Sequence, residues 1–123
     1  MADFKVADTK FILPTADTRP ITLNGGFPMP GWTDIYGLSD DAPEDSKGFD
    51  AAADRVRAIL ASEKAKGKDT SRIVVGGFSQ GGAVALHVCL RATEPLAGTL
   101  YPRRCTALPE TSVQSFAHAS PSF

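Results

Sequence analysis

One pentapeptide, Gly-Phe-Ser-Gln-Gly at residues 77–81, constrains the fold of this 123-residue chain more than any other feature. It follows a β-branched run at 72–75, which is typical of a buried parallel strand, and it precedes small and apolar residues at 83–91 with the composition of a buried helix. A sharp strand-to-helix turn strains the central residue, and small residues on both sides let strand and helix approach closely. The sequence therefore predicts a nucleophile elbow with Ser79 at its apex.

The helix that follows the pentapeptide also predicts how a developing negative charge is stabilised. Its N-terminal amides point at the turn, so the backbone N–H of Gln80 is the expected oxyanion donor. A glycine-rich turn that merely connects a strand to a helix can also match the G-x-S-x-G pattern, but the flanking strand and helix favour the nucleophile elbow. A phosphate loop has the spacing of Gly76 and Gly81, yet Gly82 and Ala83 stand where Lys and Ser or Thr are required, and no G-x-G-x-x-G is present. We expect no cofactor.

The remaining segments predict strands and helices in alternation. Residues 10–14 are a short apolar run ended by proline, which predicts a strand, and residues 15–37 combine glycine and proline with bulky apolar side chains, which indicates a long functional loop. Apolar residues at helical spacing from 49 to 60 predict an amphipathic helix, with Gly67 placed to end it. Residues 96–100 predict one further strand. This order implies a parallel sheet covered by helices.

Composition and charge exclude several classes of function. Thirteen basic residues against 14 acidic ones give a formal net charge of −1 and a pI of about 6.1, so we expect no nucleic-acid partner and no electrostatic binding to anionic membranes. No window resembles a transmembrane segment, and the N-terminus lacks a signal-peptide pattern, which predicts a cytoplasmic protein. Cys89 and Cys105 have no metal-type spacing and are expected to be reduced thiols.

An acidic stretch at residues 40–46 precedes the predicted amphipathic helix. Carboxylates at that place are most often solvated helix caps, and the spacing of a calcium loop is absent, so no metal site is expected there. Residues 1–100 are predicted to form one domain. From residue 101 no hydrophobic period survives, and residues 101–123 are predicted to be a loosely ordered or disordered tail.

Several motifs in a fixed order give the chain a resemblance to a known family. It resembles the acyl-protein thioesterases, small serine hydrolases of the α/β-hydrolase fold also described as lysophospholipases or carboxylesterases, over about residues 10–100. The resembling motifs are Phe-Ile-Leu-Pro at 11–14, Arg-Pro-Ile-Thr-Leu-Asn at 19–24, Met-Pro-Gly-Trp-Thr-Asp-Ile at 29–35, Gly-Leu-Ser at 37–39 and Ser-Arg-Ile-Val-Val-Gly-Gly-Phe-Ser-Gln-Gly-Gly-Ala at 71–83.

The resemblance implies a fold, a reaction and a set of site residues. The fold is a partial α/β-hydrolase, a three-layer sandwich with a mainly parallel sheet. The reaction is hydrolysis of long-chain acyl thioesters or esters, in S-palmitoylated proteins or lysophospholipids, through an acyl-enzyme on Ser79 with Gln80 as oxyanion donor. Trp32, Ile35 and Leu38 match the segment that lines the acyl channel, where each buried methylene contributes about 0.8 kcal/mol.

The chain also departs from the family pattern, which predicts impaired turnover. It begins beyond the position of the family's H-G-x-G-D-like oxyanion loop, and no Asp follows Ser79, although the fold's triad runs Ser, Asp or Glu, then His. Glu94 and Glu110 are the remaining acids. Of the histidines, His87 lies too far along the helix and is interpreted as a packing residue, and His118 falls in the tail. Two further hypotheses stay open: a non-catalytic acyl-binding decoy, and a truncated gene product.

Overall fold

A computed structural model describes residues 8–100 of the chain. Strands, helices and single 3₁₀ turns follow one another in the order β1 (Thr18–Ile21), 3₁₀ turn (Thr22–Asn24), β2 (Phe27–Pro30), α1 (Ser46–Ala65), 3₁₀ turn (Thr70–Arg72), β3 (Val74–Gly76), α2 (Gln80–Leu90) and β4 (Gly98–Leu100). Neither of the two helices in this part of the chain is long and apolar enough to cross a membrane.

Strands β3 and β4 pair in parallel, with Val74 opposite Gly98 and Gly76 opposite Leu100. Parallel neighbours need a crossover connection, and α2 supplies it by packing against both strands. The predicted strand–helix–strand order around the pentapeptide is confirmed. β4 occupies only the last part of the predicted 96–100 segment.

The predicted amphipathic helix is confirmed as α1, and its ends follow from capping residues. At the start, Asp45 accepts a hydrogen bond from the Gly48 backbone N–H at 3.0 Å, which satisfies one of the unpaired first-turn donors. At the end, Gly67 adopts a φ of +84° and donates to the Lys64 carbonyl at 2.9 Å, as in a Schellman cap. A left-handed conformation there favours glycine, which explains the helix stop.

The hydrophobic core lies between α1 and α2. Its buried residues are small or β-branched: Ala52 and Ala53 from α1, and Val84 and Val88 from α2. The alanines let the two helix backbones approach, and larger, partly buried side chains complete the cluster around them: Trp32, Phe49, Val56 and Leu60. The loop residue Trp32 is thus attached to the same core as the two helices.

The predicted long loop at 15–37 is wrong in one respect, because it contains a β-hairpin. β1 and β2 pair antiparallel, with Pro20 opposite Pro28. Gly31 N–H donates to the Asp17 carbonyl three positions along the ladder, so the alternation makes the proline pair a non-hydrogen-bonded one, which needs no N–H donor. Gly25 and Gly26 turn the chain with φ values of +65° and +79°. The density of prolines concealed the strands, since proline is depleted in sheets everywhere except at edges such as this one.

The strand predicted at residues 10–14 is also wrong. The segment forms no strand, and Phe11 and Leu13 are 63% and 87% exposed. A strand exists only beside a hydrogen-bonding neighbour, and within residues 8–100 the backbone of 10–14 has none, because β3 pairs with β4 alone. The predicted tail at 101–123 and Cys105 lie outside the described residues, so the predicted domain boundary stays a prediction.

Candidate active site

Ser79 lies at the turn between β3 and α2, in the conformation that the elbow prediction requires. Its φ of 53° and ψ of −119° fall in a region that residues with a side chain rarely adopt. Although Ser79 stands at the N-cap of α2, its hydroxyl makes no capping hydrogen bond. The turn therefore carries a strained serine whose Oγ is not used to hold the helix.

The strain at Ser79 is imposed by the close approach of strand and helix. A Cβ placed on Gly77 would lie 2.3 Å from the Gly81 carbonyl carbon and 2.7 Å from the Gly82 nitrogen. Such distances are far below van der Waals contact, so only glycine fits at position 77. A Cβ on Gly81 would instead meet its nearest neighbour, Trp32 Nε1, at 3.9 Å. The first glycine of the pentapeptide is a steric requirement and the second is not.

The backbone N–H of Gln80 is the first amide of α2. An α-helix leaves its first amides without intrahelical acceptors, and within the described part of the chain none reaches this one. Together with the partial positive charge of the helix N-terminus, it suits an anion that forms at Ser79. Its function as an oxyanion donor stays a prediction.

A cavity of about 550 Å³ opens beside Ser79. Its walls are mainly apolar and come from α1, α2, β3 and the segment at 10–14, and the residues nearest the elbow include Trp32, Phe78, Ser79 and Gln80. The charged pair Lys10 and Glu63 lies on the same wall, joined at 2.8 Å. A mainly apolar space next to a strained serine suits a substrate with a hydrocarbon chain.

Trp32, one of the predicted substrate-binding residues, lines this cavity. The ring is half-buried on the helical core, and the Arg55 guanidinium lies 5.2 Å from its centroid, which is a cation–π distance. Arg55 is itself paired with Asp17 at 3.2 Å. The ring thus contacts both the helical core and a charged side chain near the elbow.

The structure does not bring the other two predicted binding residues to the cavity. Ile35 is half-buried, and its carbonyl accepts a hydrogen bond from the Leu23 backbone N–H at 2.8 Å. Leu38 is 78% exposed. Neither lines the space beside Ser79. Their predicted function in acyl binding stays a prediction.

The acid and base candidates within residues 8–100 are engaged away from Ser79. His87 Nε2 lies 3.1 Å from an Asp50 carboxylate oxygen, and Arg91 donates to its Nδ1 at 2.8 Å. Arginine can only donate, so Nδ1 is the accepting nitrogen and Nε2 is the one that faces Asp50. The ring also lies 5.8 Å from that of Phe49, which agrees with the packing interpretation. Glu94 is paired with Lys64, which lowers the pKa of its carboxyl.

Two predicted candidates, Glu110 and His118, lie outside the described residues. Cys89 in α2 does not compete as a nucleophile, because burial raises the pKa of its thiol and so disfavours the reactive thiolate. Within the described part of the chain, no group of three or more His, Cys, Asp or Glu side chains could hold a metal ion. Asp45 of the acidic stretch instead caps α1 and also accepts from the Asp34 N–H at 2.9 Å.

The side chain of Gln80 is a feature of the site that the sequence did not reveal. Its Oε1 accepts from the Trp32 backbone N–H at 2.8 Å, and its Nε2 donates to the Thr33 carbonyl at 3.0 Å and to Thr33 Oγ1 at 2.9 Å. The pentapeptide allows any residue at this position, and the partners lie 47 and 48 residues away in the sequence. No local pattern could have indicated the contact.

Comparison with known proteins gives consistent results across sequence and structure. The sequence profile of the Phospholipase/Carboxylesterase family matches residues 1–122. The chain is 41% identical to acyl-protein thioesterase 1 of Mycosarcoma maydis, over 76% of this chain and 42% of that protein. It is 40% identical to acyl-protein thioesterase 1 of Schizosaccharomyces pombe, over 74% and 41%. The chain thus spans about two fifths of the length of these relatives.

Solved structures agree with the sequence comparison. SOBER1 of Arabidopsis thaliana superimposes with a TM-score of 0.69 at 31% identity, over 72% of this chain and 43% of that one. Acyl-protein thioesterase 2 of Zea mays superimposes with a TM-score of 0.57 at 34% identity, over 88% of this chain and 49% of that one.

Proposed function

Because the chain belongs to the phospholipase/carboxylesterase family and has part of the α/β-hydrolase fold, we propose that Ser79 is the nucleophile of a long-chain acyl thioesterase or esterase. The fold class expected from the sequence is confirmed. One observation supports the proposal most directly: Ser79 has the strained elbow conformation, a hydroxyl that does not cap α2 and a mainly apolar cavity beside it. A turn that merely connects a strand to a helix would require none of these three features.

The proposed reaction forms an ester on Ser79. The Oγ attacks the carbonyl carbon of the acyl group, and the oxyanion is stabilised by the Gln80 N–H. When the tetrahedral intermediate collapses, the C–S or C–O bond breaks, the acyl group stays on Oγ, and the serine proton ends on the leaving thiol or alcohol. Water then hydrolyses the acyl-enzyme to a fatty acid and restores the serine hydroxyl.

The proposed substrates are S-palmitoylated proteins and lysophospholipids, and the proposed location is the cytoplasm. Three of the similar proteins are acyl-protein thioesterases by name, which favours the protein substrates. The cavity beside Ser79 is lined by apolar side chains and Trp32, which suits an alkyl chain. Cell fractionation of a tagged chain tests the location.

Turnover by this chain alone is expected to be low. A serine hydroxyl is a weak nucleophile until a base takes its proton and a third group orients that base. Within residues 8–100 His87 and Glu94 are engaged elsewhere, and no Asp follows Ser79 in the sequence. Of the groups that the family reaction needs, the described residues therefore supply the Ser79 nucleophile and the Gln80 backbone N–H.

Covalent labelling tests the nucleophile without requiring turnover. Alkyl fluorophosphonates form an Oγ–P bond on an activated serine and release fluoride, and intact-mass and peptide mass spectrometry locate the adduct. We expect a single adduct on Ser79, none in Ser79→Ala, and normal labelling in Ser62→Ala, which changes an exposed serine of α1. Hydrolysis of a palmitoyl thioester, measured in parallel, is expected to be slow.

Two results would contradict the proposal. Equal labelling of the parent and Ser79→Ala would place reactivity at another residue. Absence of any adduct on a folded parent protein would show that the elbow conformation and the Gln80 amide do not make Ser79 reactive. If palmitate still bound in that case, and binding survived Ser79→Ala but not Trp32→Ala, the acyl-binding decoy hypothesis would replace the enzymatic one.

A further inference from the structure

The Gln80 amide bridges two parts of the chain that the proposed reaction uses. Its backbone follows Ser79 directly, and its side chain makes three hydrogen bonds to Trp32 and Thr33. One amide accepts from a backbone N–H and donates to the next carbonyl, as a neighbouring peptide group would. Thr33 is 2% exposed, so these bonds are shielded from water and their loss would leave buried polar atoms unpaired.

The loop that carries Trp32 is anchored independently on both sides of that residue. Gly31 N–H donates to the Asp17 carbonyl at 3.1 Å. Asp34 accepts from the backbone and hydroxyl of Thr22 at 2.8 and 2.6 Å, and the Thr22 bonds hold the pKa of its carboxyl below the usual range. Among the described residues, by contrast, the Trp32 N–H bonds only to Gln80. Removing the amide should therefore let the Trp32 backbone shift, and its ring with it, without unfolding the loop.

We propose that the Gln80 side chain is a positioning residue that sets the Trp32 ring against the Ser79 end of the cavity and thereby sets the preference for long acyl chains. The proposal rests on the proposed function of Ser79. It assigns two separate tasks to one residue: the backbone N–H stabilises the oxyanion, and the amide side chain holds the wall that the alkyl chain contacts.

Labelling rates with two chain lengths test the specificity part. Gln80→Met keeps the backbone N–H and nearly the same side-chain length but removes all three hydrogen bonds. Burial of each methylene is worth about a fourfold change in affinity, so losing the contact of two methylenes predicts about a fifteenfold fall in the ratio of hexadecyl to ethyl fluorophosphonate labelling rates. An unchanged ratio would overturn the proposal, whatever the absolute rates.

Fluorescence tests the positioning part without any reaction at Ser79. Trp32 is the only tryptophan in the sequence, so acrylamide quenching reports on this one ring. In Gln80→Met the quenching constant should rise about twofold, as a half-buried ring becomes exposed. Thr22→Val, which removes an anchor elsewhere in the same loop, is the matched control and should leave quenching unchanged. Equal quenching in Gln80→Met and the parent would refute the positioning role.

A second substitution keeps the test decisive if Gln80→Met folds poorly. In Gln80→Glu the ionised carboxylate still accepts from the Trp32 N–H but sets its other oxygen against the Thr33 carbonyl. Once protonated, the carboxyl donates there as the amide does, so quenching should fall back to the parent value below the pKa of the new carboxyl, which the neighbouring carbonyl oxygen raises. Arg55 keeps its charge throughout, and the carboxylates of Asp17, Asp34 and Asp45 around this loop are the same in the parent, so quenching of the parent over the same pH range is the control. High quenching at every pH in folded protein would overturn the proposal.

The experiments distinguish a failure of the proposed function of Ser79 from a failure of the positioning role of Gln80. If neither fluorophosphonate labels the parent at Ser79, the proposed function fails, and quenching alone then decides whether Gln80 positions Trp32. If Ser79 is labelled but Gln80→Met changes neither the rate ratio nor quenching, the function stands and the positioning role is refuted.

Discussion

Replacing Gly77 with alanine should destabilise the protein strongly, because the new methyl group has no room. Its Cβ would lie 2.3 and 2.4 Å from the carbonyl carbon and oxygen of Gly81, and 2.7 Å from the Gly82 nitrogen. All three are backbone atoms, so relief requires moving the start of α2 away from β3. Overpacking of a side chain into a core costs about 1–3 kcal/mol, and a backbone clash belongs at or above the top of that range, about 3 kcal/mol.

Gly81→Ala is the matched control for this prediction. Both glycines belong to the same pentapeptide, but a Cβ on Gly81 meets only Trp32 Nε1, at 3.9 Å, which is ordinary contact. Gly81 lies in α2, where alanine is favoured over glycine by about 0.5–1 kcal/mol. The two variants should therefore differ by about 3–4 kcal/mol, with Gly77→Ala the less stable.

Urea unfolding followed by Trp32 fluorescence and far-UV circular dichroism measures the difference. With a slope of about 1.5 kcal/mol/M, a loss of 3 kcal/mol lowers the midpoint by about 2 M. A parent protein less stable than this would yield a Gly77→Ala variant that is unfolded without urea. Equal midpoints for the two variants, or a lower one for Gly81→Ala, would refute the steric account of the elbow.

Three further predictions follow from other parts of the structure. Ser79→Gly should be more stable than Ser79→Ala by about 1 kcal/mol in urea, because glycine adopts the elbow conformation without strain; equal midpoints would contradict this. Lys10 and Lys66 lower the pKa of Glu63 from its ordinary 4.5, so the stability that the ionised carboxylate contributes is present above pH 4.5 and is lost as the pH falls further. Glu63→Gln should therefore flatten the dependence of the melting temperature on pH between about pH 5 and 3. An unchanged slope of melting temperature against pH would refute the pairing. Val88→Ala should cost about 2 kcal/mol of unfolding free energy, since it removes two methyl groups from a side chain 1% exposed, whereas a loss below about 0.5 kcal/mol would place it outside the core.

The elbow and the long helix could be predicted because their causes are local. Capping by Asp45, the left-handed Gly67 and the small residues around Ser79 act within a few residues of the element that they shape. Each of these residues can be identified from the sequence of one chain. The same holds for the crossover helix, which follows from a β-branched run and a turn.

The errors have non-local causes. Residues 10–14 have the apolar character of a strand, but pairing depends on which backbone lies alongside, and no local property encodes that. The hairpin was missed because Pro20 and Pro28 oppose strand propensity, yet face each other where no N–H is needed. The contact of the Gln80 side chain with Trp32 and Thr33 was invisible for the same reason, since its partners meet only in the folded chain.

The reactivity of Ser79 toward a labelling reagent depends on local contacts, whereas catalytic turnover depends on residues from distant parts of a chain. The conformation of Ser79 is enforced by contacts between Gly77 and the first residues of α2, so it depends on little else in the molecule. General-base catalysis instead needs an imidazole and a carboxylate from distant parts of a chain, and within residues 8–100 His87 is committed to Asp50. Labelling of Ser79 should therefore respond to Gly77→Ala and be indifferent to His87→Ala. A loss of labelling in His87→Ala that still unfolds cooperatively would show that this histidine reaches the serine after all.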